Sequence, residues 1–150
     1  MDSIQVKSKS FDELTKTELY VILALRVEVF CVEQNCPYQD VDGQDQQAQH
    51  VFIKDGNIIT AYARTLKGKN DNYHIGRVVV NPKYRKKGLA TVIMKACIAE
   101  LENQTHIIEV SAQSYLSDFY QGLGFKNTGK YYLEDDIPHE QMLRMTKRGQ

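Results

Sequence analysis

Arg85, Lys86, Lys87 and Gly88 sit between a β-branched run, Val78-Val79-Val80, and an amphipathic stretch that opens with Leu89-Ala90. The run stops at Asn81-Pro82, a basic loop follows, and a glycine begins the next periodic segment. Such a strand–loop–helix junction binds anions, because the first N–H groups of a helix are unpaired and lie at the positive end of its dipole. Gly88 would let phosphate oxygens approach the backbone, and the three cations would add charge. The same residues would also make an ordinary solvated basic turn. A Walker loop is excluded, since no G-x-x-x-x-G-K-[ST] pattern occurs.

The elements that must position this loop are legible from periodicity. Ile4 to Lys7 alternates as a half-buried strand, and the Ser10/Glu13 capping-box spacing predicts the start of a helix. Leu19, Ile22, Leu23, Arg26, Val29, Phe30 and Glu33 recur on one helical face. Residues 38–49 read as an ordered acidic loop or irregular second helix. Residues 50–54 and 58–66 form a hairpin through Asp55-Gly56-Asn57. A strand over 73–80, a helix over 88–102, a short strand over 107–110 and a helix over 115–123 follow. Short strands at 131–133 and 142–145 close the order. The expectation is one α/β (α+β) domain over 1–150, with a central, mixed but mostly antiparallel sheet and flanking helices.

Composition narrows the function classes. The 150 residues carry 19 Lys plus Arg and 19 Asp plus Glu, so the formal charge is zero, which argues against a general nucleic-acid or acidic-lipid binder. No segment is apolar for long enough to span a bilayer, and no secretory signal is evident, so a cytoplasmic chain with three reduced cysteines is expected. The four His and three Cys have no zinc-ligand spacing, so no metal is expected.

Arg85-x-x-Gly88-x-Ala90 after the valine run resembles the pyrophosphate-binding R/Q-x-x-G-x-G/A motif of the GNAT N-acetyltransferases. Gln113-x-x-Leu116-x-x-Phe119-Tyr120-Gln121-x-x-Gly124-Phe125 is similar to that family's N-x-x-A-x-x-x-Y-x-x-x-G-F segment, with Gln113 and Leu116 replacing Asn and Ala. Leu25-Arg26, Val29-Phe30, Glu33-Gln34, Cys36-Pro37-Tyr38, Asp42-Gly43, His50 and Asp136-Ile137-Pro138-His139 with Met142 resemble the ElaA-like branch. The resemblance spans residues 18–145.

It implies a GNAT fold in which a splayed strand pair receives acetyl-CoA as co-substrate. Val78, Val79 and Val80 would pair with the pantetheine arm. Arg85, Lys86, Lys87, Gly88, Leu89 and Ala90 would hold the pyrophosphate, and Gln113 would add a contact. The implied activity is acetyl transfer to a primary amine, on a small molecule or a lysine. A non-catalytic acyl-CoA-binding module is the alternative. Tyr120 matches the family's proton donor to the departing thiolate, although Leu116, Tyr120 and Leu123 also read as core neighbours. A base must take the amine proton, and Glu33, Asp42, His50, Glu109 and His139 are the candidates. Glu33 and His139 lead as base or acceptor-site residues. Glu33 could instead pair with Arg26, His139 could be a surface turn histidine, and His50 reads as structural. Asp40, Asp42 and Asp45 would suit a cationic acceptor or simply be solvated. Oligomeric state stays open, a homodimer included.

Overall fold

The first helix starts one turn later than the Ser10/Glu13 spacing predicts. In the computed structural model, which describes residues 4–149, that capping box forms, with Ser10 N–H donating to Glu13 at 2.8 Å. It caps only a 3-10 turn, Phe11–Glu13. A second box, five residues further on, carries the helix itself. Thr15 Oγ1 accepts from the Glu18 N–H at 3.0 Å, and the Glu18 carboxylate accepts from the Thr15 N–H at 2.9 Å. Helix α1 spans Lys16–Arg26 and widens into a π-helical segment, Val27–Glu33.

Seven strands make one sheet, ordered β1-β2-β3-β4-β5-β7-β6. They are β1 Val6–Ser10, β2 Gln49–Asp55, β3 Ile58–Lys67, β4 Tyr73–Val80, β5 Ile107–Gln113, β6 Lys126–Glu134 and β7 Ile137–Met145. Every pairing is antiparallel except β4 with β5, which run parallel. Helix α2, Leu89–Leu101, connects those two, and the short helix α3, Ser117–Gly122, follows β5. On one face α2 buries Ile93, Met94, Cys97 and Leu101 against Ala61, Ile75, Ile108 and Val110. On the other, α1 and its π-helical extension bury Ile22, Leu25 and Val29 against Phe52, Tyr62 and Val79. Each fully buried Ile, Leu, Val, Phe or Met among them contributes about 1.5–3 kcal/mol of transfer free energy.

The β4–β5 contact opens a cleft in the sheet. It is paired only at Tyr73↔Ile108 and His74↔Glu109, after which the two strands diverge. A bulge in β4 opposite β3, with Arg77 at φ 54°, bends the strand where the divergence begins. The splayed pair expected from the resemblance is therefore present.

Strands β6 and β7 are longer than the sequence predicts, because Pro138 makes the stretch around it read as non-strand. Pro138 lies one residue beyond the last β5 pairing, Gln113↔His139, so its missing N–H costs no bond on that side. Asp135 and Asp136, at φ 52° and 62°, make the two-residue turn.

The acidic loop is locked to the sheet by arginines. Arg26, fully buried, binds Asp40 and Asp45 at 2.8 Å each. Arg64 binds Asp42 and Asp45 at 2.6 and 2.9 Å, and Arg77 binds Asp40 at 2.8 Å. The expected alternative of an Arg26–Glu33 pair is thus corrected, and the three aspartates are neutralised rather than offered to an acceptor. His50 is structural, as expected: it is buried between the Tyr62 hydroxyl at 2.6 Å and the Asp45 carbonyl at 2.9 Å. Among the described residues no helix is long and apolar enough to cross a membrane.

Candidate active site

A groove of about 1100 Å³ runs through the β4–β5 cleft and out over the N-terminus of α2. Beyond His74, β4 has no β5 partner, so one row of its backbone groups is free. The Asn81 N–H donates to Thr60 O on β3 at 2.8 Å. The alternation of a strand then turns the Val80 N–H the opposite way, toward the cleft. That edge can accept an extended ligand as an added strand.

At the outer end the chain turns through Lys86, φ 66°, and Gly88, φ 76°, into α2. Gly88 is the N-cap, and no heavy atom lies within 4 Å of the position a Cβ would take. A left-handed glycine facing open space at a helix N-terminus is the backbone shape that admits phosphate oxygens. These residues fit a ligand with an extended arm and a pyrophosphate.

Of the residues expected to hold that ligand, Val78, Val79, Val80, Arg85, Lys86, Gly88, Leu89, Ala90 and Gln113 line the groove. Lys87 is not among them; its ammonium lies 5.4 Å from the centre of the Tyr84 ring. Arg85 is engaged by Glu33 through two bonds of 2.9 and 2.6 Å. That guanidinium holds the Glu33 carboxyl below its usual range, which makes Glu33 a poor proton acceptor while the pair persists.

Tyr120 is at once a core residue and a groove residue. It is only 7% exposed, with its ring edge-on to Phe119 and Phe125, yet it lines the groove. Its hydroxyl has no protein partner among the described residues. Burial pushes its pKa up to about 12, so the phenol stays protonated at neutral pH.

The candidate bases separate by geometry. Asp42 is held far below the carboxylate range by Arg64, and burial lowers the pKa of His50, which lies outside the groove lining. Glu109 lines the groove and accepts from the Gln141 amide at 3.2 Å. His139 lines it too and is 6% exposed, so it is no surface turn residue. Its Nδ1 lies 2.7 Å from the Ile137 carbonyl, which can only accept, so Nδ1 carries the proton. Its Nε2 lies 3.4 Å from the Glu134 carboxylate. The ring stacks on Tyr132, centroids 6.0 Å apart, and the Tyr132 hydroxyl is hydrogen-bonded to Ser111.

Sequence reasoning missed His74, Ser111, Tyr132 and Glu134, all groove residues. The signal for His74 was its place in the strand that ends at Val80. Beside Glu109 in the register, it is desolvated, which lowers its pKa and keeps the imidazole neutral. No cluster of His, Cys, Asp or Glu able to hold a metal occurs among the described residues.

Residues 13–146 match the sequence profile of the acetyltransferase (GNAT) domain. Protein ElaA of Escherichia coli is 40% identical over 141 residues, 88% of this chain and 90% of that one. The E. coli ElaA crystal structure superposes with a TM-score of 0.87 over 94% of this chain and 99% of that one, at 35% identity. An acyl-CoA N-acyltransferase from Pseudomonas aeruginosa superposes with a TM-score of 0.89 at 38% identity, covering 95% and 99% of the two chains. An aminoglycoside 6'-N-acetyltransferase complexed with coenzyme A shares the fold, with a TM-score of 0.70 at 14% identity over 93% and 96%.

Proposed function

The chain belongs to the GNAT acetyltransferase family, and on that premise we propose that it transfers the acetyl group of acetyl-CoA directly to a primary amine. The observation that carries this reading is the continuity of one groove. The free edge of β4, the Gly88 turn and Tyr120, whose hydroxyl has no protein partner among the described residues, all border it. The coenzyme A bound to the aminoglycoside acetyltransferase of the same fold supports the choice of donor.

Val78 to Val80 bind the pantetheine arm by backbone pairing, and Lys86, Gly88, Leu89 and Ala90 take the pyrophosphate. Arg85 joins them once it leaves Glu33, and Gln113 lines the wall opposite. The Val80 N–H donates to the acyl carbonyl oxygen and stabilises the charge that develops there. His139 Nε2 takes a proton from the attacking amine, and the Glu134 carboxylate stabilises the imidazolium that results. The amine nitrogen forms a bond to the acyl carbon, the carbon–sulfur bond breaks, and Tyr120 protonates the departing thiolate. His139 returns its proton through water to the Tyr120 phenolate, so the sum is amide plus CoA thiol. Holding thioester and amine in line supplies much of the acceleration.

Direct transfer is tested by mass spectrometry of the intact protein mixed with acetyl-CoA. The expected result is an unmodified protein and thiol release only after an amine is added. An acetylated enzyme formed without amine would exclude direct transfer. Tight CoA binding with no release for any amine would favour the non-catalytic binding module.

A further inference from the structure

We propose that the amine acceptor carries a second cationic group, which Glu109 binds at the closed end of the β4–β5 cleft; this rests on the acyl-transfer reading above. Glu109 sits where the two strands last pair, opposite His74, so it forms the apex of the V. Its carboxylate borders the groove and takes one described hydrogen bond, from Gln141 at 3.2 Å, which leaves an oxygen for a ligand.

Among the described residues no cation is paired with it. Arg64 and Arg77, which also line the groove, are tied to Asp40, Asp42 and Asp45. His74, beside Glu109, is kept neutral by burial. Lys69 borders a smaller depression of about 260 Å³ that Glu109 and His74 also line, and it forms no ion pair with Glu109. The groove is therefore bipolar: cations at the outer loop for phosphates, a carboxylate at the apex for an ammonium.

The register also sets the length of the acceptor. His139, which takes the proton, pairs with Gln113, and Glu109 lies four residues back along β5. Four residues of strand span about 13 Å. Subtracting about 3 Å of hydrogen bond at each end leaves about 7 Å between the two nitrogens. An aliphatic diamine with five methylenes matches that span. A free amino acid of the same length would place a carboxylate against Glu109 and be repelled.

The test is calorimetric titration of cadaverine, pentylamine and δ-aminovalerate into the full chain saturated with CoA, which cannot react. The expected order is cadaverine tighter than pentylamine by about tenfold or more, with δ-aminovalerate weakest. In Glu109→Gln, an isosteric change at a half-buried site, the cadaverine advantage should shrink to about threefold or less. Equal affinities for the three amines, δ-aminovalerate binding tightest, or an unchanged advantage in Glu109→Gln would each overturn the proposal. Repeating the titration without CoA, and titrating CoA alone, separates the two readings. Absent CoA affinity would sink the acyl-transfer function, while the amine order would still report on Glu109.

Discussion

Glu33 and Arg85, 52 residues apart, meet in a two-bonded ion pair that joins the π-helical end of α1 to the loop opening α2. One was expected to serve the acceptor and the other the cofactor, and in the structure each occupies the other. Both side chains are a little over 40% exposed, so the pair itself adds little stability. Its consequence is for the proposed phosphate binding, because Glu33 competes with a phosphate for Arg85.

Arg85→Ala should weaken acetyl-CoA binding by about 1–2 kcal/mol, the worth of a charged hydrogen bond. Glu33→Gln should tighten it, since the competing carboxylate is gone. Gly88→Val should raise the Kd severalfold or more, because a β-branched residue resists the left-handed backbone at φ 76°. Calorimetry with CoA checks all three, and unchanged affinity throughout would remove the loop from the site.

Arg26→Ala should destabilise the fold by about 3–5 kcal/mol, the usual result of stripping one partner from a buried ion pair. Of their arginines, Asp40 would keep only Arg77 and Asp45 only Arg64, both carboxylates still buried, with the loop over 38–49 no longer tied to α1. Urea unfolding measures the loss. A change below about 1 kcal/mol, the scale of a surface pair, would contradict the structural role.

Stability should fall in acid partly through Glu18. Its burial favours the neutral form, but the Thr15 N–H and the Lys9 and Lys54 ammoniums outweigh it and lower the pKa from 4.5 to about 2. A folded pKa below the unfolded one stabilises the protein above pH 4.5, and that contribution is lost as the pH falls toward 2. Glu18→Gln should therefore be less stable than wild type near neutral pH, with the gap closing in acid. Thermal melts across that range read it, and a constant gap would contradict the assignment.

Tyr120→Phe removes a hydroxyl and keeps the ring between Phe119 and Phe125. Acetyl-CoA affinity and melting temperature should hold, while kcat falls about ten- to a thousandfold, overlapping the usual range for a general acid. A kcat within about twofold of wild type, with chemistry limiting, would assign Tyr120 to the core alone.

Much of this arrangement was legible before the structure. The valine run, the basic loop and Gly88 outline one end of the groove in one contiguous stretch, because a strand–turn–helix junction is local chemistry. The acceptor end was not legible in the same way. His74, Glu109, Tyr132 and His139 come from four strands, and only the β4–β5 split and the β5–β7 register bring them to one groove. Charge was misread for a related reason. Asp40, Asp42 and Asp45 look free in a Gln-rich loop, and their partners Arg26, Arg64 and Arg77 are distant in sequence. Lys87 continues a basic run, but the turn at Lys86 sends it over Tyr84.

Amine-dependent release of CoA thiol from acetyl-CoA tests the central claim most directly. A screen across diamines, monoamines and lysine peptides, with intact mass of the acceptor as the second readout, should find thiol release and acetylated amine appearing together in equal amounts. Tight acetyl-CoA binding with neither product, for every amine, would contradict the assignment of catalysis to this groove.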